Sequence, residues 1–243
     1  MKVLITNDDG IRAEGLWVLA SWAREQGHHV VVVAPKHNSS GQSGAITLGK
    51  PLTVTETKPG EWAVGGTPAD CVRVAFAFLG LQPDLVLSGI NHGLNLGHDV
   101  YASGTIGAAR MAAIHGIPAA AFSAEASDWD LAADLVSRHG PAIVDAALDL
   151  NGQAIVSANF PAQGGTRLTS AELSGPRFDD ALQWAEFDGN QHIVRLDFVP
   201  RGIGRLERNT DADAIARGLS TLTCLSLTPA TPLHGELSKE SLA

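Results

Sequence analysis

Two adjacent carboxylates, Asp8 and Asp9, stand in the run Ile5-Thr-Asn-Asp-Asp-Gly10 near the start of the chain. Side by side they repel each other unless a positive centre neutralises them, and a hard divalent cation with oxygen ligands does this well. The same letters also spell ordinary turn chemistry, with Asp bonding nearby backbone and Gly taking a positive φ. The choice between these readings rests on what else reaches the pair. Asn91 follows Ser88-Gly-Ile and offers an amide oxygen, and the polar stretch Lys36-His-Asn-Ser-Ser-Gly-Gln-Ser-Gly44 offers serine hydroxyls. Two carboxylates, a serine of that loop and Asn91 make an all-oxygen set suited to Mg²⁺, Mn²⁺ or Ca²⁺. Ser103-Gly104-Thr105 opens a small-residue helix with a hydroxyl-rich cap. The free N–H groups there suit an anion, phosphate above all. A cation beside a phosphate cradle points to phosphoester hydrolysis by an attacking water.

The elements must bring these groups to one edge. Val3-Leu-Ile5 reads as a buried parallel strand, and Val30 to Val33 as a second. Between them Leu16, Leu19, Ala20 and Ala23 mark one helix face, with Gly27 past its end. This is a βαβ unit, so Asp8, Asp9 and the loop from Lys36 leave the carboxyl ends of neighbouring strands, where open α/β sheets bind ligands. Residues 46–57 look extended. Thr67-Pro68-Ala-Asp70 is a capping-box helix start, expected to run through Phe78. Asp84 to Ser88 is the next strand, and the glycine-rich segment from Gly89 to Asp99 is expected as its loop. Ile117 to Phe122 forms another strand. A helix over 128–149 is expected to break near Gly140-Pro141, and Ala154 to Pro161 is a further strand. Beyond Gly164 the texture shifts to short strands and turns: His192 to Val199 alternates like a half-exposed strand, Asp211 to Gly218 suits a helix, and Leu222 to Leu227 a strand. His92 and His98 read as surface or hydrogen-bonding groups.

Composition narrows the partners. The 243 residues are 44% hydrophobic and 18% charged, with a formal net charge of -9. No basic excess exists to neutralise duplex nucleic acid or an anionic membrane, whereas a small phosphorylated ligand needs only a local positive centre. Cys71 and Cys224 have no metal or disulfide spacing. No run approaches the length of a membrane span and no secretory pattern follows Met1, so a cytoplasmic protein is expected.

These residues also carry a family resemblance. Ile5-Thr-Asn-Asp-Asp-Gly10, Ala34-Pro35 with Ser40-Gly41, Gly66-Thr-Pro-Ala-Asp-Cys71, Ser88-Gly-Ile-Asn91 with Gly93, Asn95-Leu-Gly97 and Ser103-Gly-Thr105 resemble the SurE (survival protein E) family of metal-dependent 5′/3′-nucleotidases. Asn159, Pro161 and Thr210-Asp211 fit its later segments. The resemblance implies that Asp8, Asp9, Ser40 and Asn91 hold one divalent cation, Mg²⁺ or Mn²⁺. It implies chemistry at Asp8, Asp9 and Asn91, with phosphate at Gly41, Asn95, Ser103, Gly104 and Thr105. It also implies a Rossmann-like three-layer αβα core over 1–165 with a mostly parallel sheet. Residues 166–243 would form a C-terminal appendage used in a homodimer or homotetramer. The expected substrate is a nucleoside 5′- or 3′-monophosphate or another small phosphomonoester. Lys36 and Arg110 depart from the family pattern, at positions outside the four expected ligands.

Rival readings fare worse on these residues. A dinucleotide oxidoreductase needs a glycine-rich first turn, and this one is acidic. A receiver module needs an aspartate at the carboxyl end of a later strand, but Asp84 stands at the amino end of its own. An aspartyl-phosphate phosphatase usually shows Asp-x-Asp rather than an adjacent pair. The alternative that stands is a metal-binding assembly or regulatory protein of the same fold with little phosphatase activity.

Overall fold

The structure, a computed structural model, describes residues 1–125, 128–187, 189–201 and 206–227. The expected tail after Pro232 and the last residues of the final strand toward Pro229 lie outside them. A nine-stranded sheet carries the molecule. Its centre is parallel: β1 (Lys2–Thr6) lies between β2 (His29–Pro35) and β5 (Leu85–His92). β6 (Ala119–Ala124) and β7 (Ala154–Phe160) continue the parallel run beyond β5. At one edge the hairpin β3 (Val54–Lys58) and β4 (Glu61–Val64) joins β2, and at the other β11 (Ser220–Ser226) pairs antiparallel with β7 and parallel with β8 (Leu168–Ser170).

Helices cover both faces. α1 (Glu14–Glu25) and α4 (Trp129–Leu150) share one core with Leu16, Leu19, Trp22, Ile143 and Phe122. α2 (Pro68–Ala77) and α3 (Gly104–Ile114) share the other with Leu4, Val72 and Ile106. The three-layer α/β arrangement read from the sequence is the one present. Thr67 caps α2 with its hydroxyl on the Asp70 N–H, and the Asp70 carboxylate accepts from the Thr67 N–H, completing the capping box. Cys71 is a core residue whose thiol burial pushes up. No helix among the described residues is long and apolar enough to cross a membrane.

Three local expectations change. β5 does not stop at Ser88 but runs to His92, with its ladder to β6 shifted between Ser88 and Asn91. Gly89, at φ +130, interrupts the apolar run that marks the strand, so Asn91 stands on a strand end rather than in a loop. α4 continues through Pro141 without ending. Gly140 has no Cβ to clash with the following proline ring, and its bare backbone packs on the Trp22 ring, where a Cβ would lie 2.3 Å from Cζ2. Finally, residues beyond 166 return β8 and β11 to the main sheet, and α5 (Asp211–Ala216) packs against β11. The part that stands apart is the antiparallel hairpin β9 (Phe178–Phe187) and β10 (His192–Pro200), a two-stranded sheet of its own. Its side chains are exposed on both faces, not on one as the alternation suggested.

Candidate functional site at the carboxyl end of β1

Strand order places β2 on one side of β1 and β5 on the other, a switch point where crevices form beyond the strand ends. The turn after β1 is locked from within. The buried Asn7 side chain donates to the Gly10 carbonyl at 3.0 Å and accepts from the Gly10 N–H at 3.2 Å. That clamp aims two consecutive residues into the crevice, and Gly10 turns at φ +105 against the backbone of His37 and Asn38. The loop from β2 is tied back in turn, since the Ser39 N–H donates to the Asp8 carbonyl at 2.7 Å.

The two carboxylates have different surroundings. Asp8 is 2% exposed, and its Oδ1 accepts a 2.6 Å hydrogen bond from the Thr105 hydroxyl. Burial raises its pKa to about 6, the Thr105 bond opposing and the Asp9 charge adding to the rise. Asp9 is half-buried and accepts from the His92 N–H at 3.0 Å and from the Asn38 amide at 3.3 Å. Burial raises its pKa too, against the His92 bond. The pair is thus held close with its charge poorly solvated.

α3 faces Asp8 end-on. Its cap, Ser103, accepts from the Ile106 N–H at 3.2 Å, and the N–H groups of Gly104 and Thr105 precede the first intrahelical bond. Gly104 lets this terminus come close: a Cβ there would lie 2.8 Å from Asp8 Cβ and 3.0 Å from its Oδ2. Gly107 does the same for the β2 loop, where a Cβ would meet the Ser43 carbonyl at 1.8 Å.

The expected residues divide into three groups. Asp8, Asp9, Ser103, Gly104 and Thr105 gather in the crevice, although the Thr105 hydroxyl is engaged by Asp8. Asn91 lies on the strand end beside it, its amide N–H donating to the Gly93 carbonyl at 2.7 Å. Ser40 and Gly41 are exposed; Ser40 reaches the pair through Asn38, whose side chain accepts from the Ser40 N–H and donates to Asp9. Asn95 is buried and engaged with the ends of β6 and β7, its N–H on Asn159 and its amide on the Ser123 hydroxyl at 2.8 Å.

Sequence reasoning missed three supports. Asn7 carried a readable signal, an Asx turn closed by Gly10. Asn38 and the His92 N–H carried none, because their contacts with Asp9 span 29 and 83 residues. Asp211 is a further hidden brace: fully buried, it accepts from the N–H groups of Gly97 and Ser174.

A divalent cation fits these residues. Two desolvated carboxylates, both with ionisation opposed by burial, gain from a positive partner, and Asn91 on the neighbouring strand end carries an amide oxygen. These donors are all oxygen atoms, a chemistry that suits a hard cation.

Comparison with known proteins follows this geometry. The model of survival protein SurE matches residues 3–182. The 5′-nucleotidase SurE of Variovorax paradoxus (strain S110) is 49% identical over 142 residues, covering 57% of this chain and 56% of that protein. That of Synechococcus sp. (strain CC9902) is 41% identical over 213 residues, covering 83% of this chain and 75% of that protein. In the Variovorax alignment and that with the Prochlorococcus marinus (strain MIT 9303) protein, the chain spans about half the length of the relative, 56% and 51%. The crystal structure of the SurE protein from Aquifex aeolicus superposes with a TM-score of 0.79 at 29% identity, over 95% of each chain.

Proposed function

Because this chain belongs to the survival protein SurE family, we propose that it is a divalent-metal-dependent phosphomonoesterase acting on nucleoside 5′- and 3′-monophosphates. The observation that carries the reading is the buried Asp8 carboxylate, pressed against the N-terminus of α3 and paired with Asp9. Asp8, Asp9 and Asn91 would hold the cation, with Ser40 brought in by a movement of its exposed loop. When bound, the cation supplies charge neutralisation between the carboxylates, polarisation of the phosphoryl group and activation of water.

The protein's own groups do the positioning. Thr105 fixes the rotamer of Asp8, and the His92 N–H with Asn38 fixes Asp9. Gly104 and Thr105 present backbone N–H groups to phosphate oxygens, where the helix terminus favours negative charge. The acidic pair alone would repel a phosphate, so the substrate is held only once that charge is neutralised. The relatives named 5′-nucleotidase SurE support the substrate class.

The exposed apolar residues of the β9–β10 hairpin, Leu182, Trp184, Ile193 and Leu196 among them, support packing on a second copy of the chain in a homodimer or homotetramer. We place the protein in the cytoplasm. The deciding experiment is phosphate release from AMP, 3′-AMP and p-nitrophenyl phosphate with added Mn²⁺ or Mg²⁺. Turnover abolished by chelator and restored by the metal is expected. Turnover indifferent to chelator defeats the metal reading, and no turnover with any metal leaves the assembly-protein alternative.

A further inference from the structure

Two segments that neighbour the crevice residues each carry an aromatic pair that the phosphate chemistry does not use. On one, His98 and Tyr101 lie in the 3₁₀ turn Gly97–Tyr101, their rings 6.2 Å apart at 57°. On the other, His92 and Trp129 lie 6.2 Å apart at 48°. A nucleoside monophosphate extends one ring system away from its phosphate, and every base has a π-face to be covered.

The second pair is the better placed and the better prepared. The His92 backbone N–H is bonded to Asp9 at 3.0 Å, so this residue adjoins the carboxylate pair. Trp129 is the first residue of α4 and is half-buried. Its six-membered ring edge rests on Gly15, where a Cβ would come within 2.5 Å of Cη2. Gly15 also lets α1 approach the Ile90 carbonyl of β5, so the indole is seated between α1 and the His92 ring. Tyr101, by contrast, is 61% exposed. A ring already fixed before binding loses less conformational freedom when a ligand stacks on it.

We propose that His92 and Trp129 form the platform on which the base of the nucleoside monophosphate stacks, making them specificity-determining residues for the site. This rests on the phosphomonoesterase reading and extends it to the base, which neither the cation ligands nor α3 touches. Discrimination by stacking favours purines over pyrimidines, and both over a phosphate with no base.

The test compares AMP with ribose 5-phosphate, which has the same phosphate and sugar and no base, in the metal-loaded enzyme. The wild-type protein is expected to prefer AMP. Trp129→Ala and His92→Ala should each lower the ratio of kcat/KM for AMP over ribose 5-phosphate by roughly tenfold or more, mainly through KM for AMP. Trp129→Phe should keep most of the ratio, and Tyr101→Ala should leave it unmoved. Because Trp129→Ala removes packing from Gly15, His92→Ala at its exposed position is the independent reading should that variant fail to fold. A ratio unmoved by His92→Ala and Trp129→Ala, or one that falls with Tyr101→Ala instead, overturns the platform. Equal wild-type turnover of both substrates overturns it alone. A wild-type protein that hydrolyses neither takes down the enzyme reading, and the platform with it.

Discussion

The Asp8–Asp9 crevice and the β9–β10 hairpin depart from ordinary burial in opposite senses. The crevice takes a carboxylate almost wholly out of water, while the hairpin puts leucine, isoleucine and tryptophan into it. Each is costly for a chain on its own: a desolvated charge wants a counter-charge, and a bare two-stranded ribbon is marginal in water. The difference lies in how each is held. The crevice is fixed by hydrogen bonds from four separate segments, which set its geometry without a cation. The hairpin is held chiefly by its own ladder and by its base, where the Arg177 N–H donates to Asp99 and Arg201 pairs with Asp179. Preorganised charge is what binding and catalysis require, whereas an exposed apolar ribbon suits association.

The sharpest way to break this contrast is Asp8→Asn. With the charge gone, metal-supported turnover should fall about a thousandfold, the scale seen when an essential charged group is removed. The metal-free fold should instead gain. A pKa raised from 3.8 to about 6 corresponds to about 3 kcal/mol favouring the protonated form. That stability is complete below the unfolded value and is lost as pH rises through 6, so chelated wild-type protein should melt higher at pH 5 than at pH 7.5. Asp70, whose pKa is lowered, keeps its contribution throughout that window. Asp8→Asn should show a smaller difference between the two pH values, the part due to Asp9, and should melt above wild type at pH 7.5. A wild-type melting point that falls on acidification would mean that Asp8 is not the strained group described here.

Gly104→Ala comes next. Its methyl group would push Asp8 and α3 apart, and a displacement of this kind should lower kcat about a hundredfold with little change in melting temperature. Thr105→Val removes the hydroxyl that holds the Asp8 rotamer and opposes its raised pKa. About a tenfold loss in kcat is expected, with the acid limb of the pH–rate profile moved upward. The smallest effect on the crevice should come from Trp184→Asp with Leu196→Asp on the hairpin. Size-exclusion chromatography should show a smaller species, while metal binding followed by calorimetry changes less than about threefold. A large loss of metal affinity in that double variant would erase the distinction between the two regions.

How much of this was legible follows the same division. Patterns confined to a few residues read well: the apolar run of β1, the face of α1, and the Thr67-Pro68-Asp70 cap are each written within one turn or strand. The extent of β5 did not read, because Gly89 hides three further strand residues, Ile90 to His92, behind a loop-like composition. The continuity of α4 did not read either, since what excuses Pro141 is the packing of Gly140 on Trp22, a contact between distant helices. The crevice was legible as a list of oxygens and illegible as a set of supports. Asn95 looked like a phosphate ligand but is engaged with Ser123 and Asn159 across the sheet, and the donors to Asp9 come from residues that only the fold brings near. The hairpin's alternation suggested a covered face, but neither face is covered within one chain.

Asp211 joins the two regions in one further respect. Its carboxylate grips the chain just before the turn that feeds α3, and also the strap at Ser174 from which the hairpin departs. A single side chain near the end of the fold is therefore a shared pin, tying the base of the arm to the segment that leads into α3. Loosening that pin would leave every proposed metal ligand untouched and still let the two halves of the molecule drift out of step.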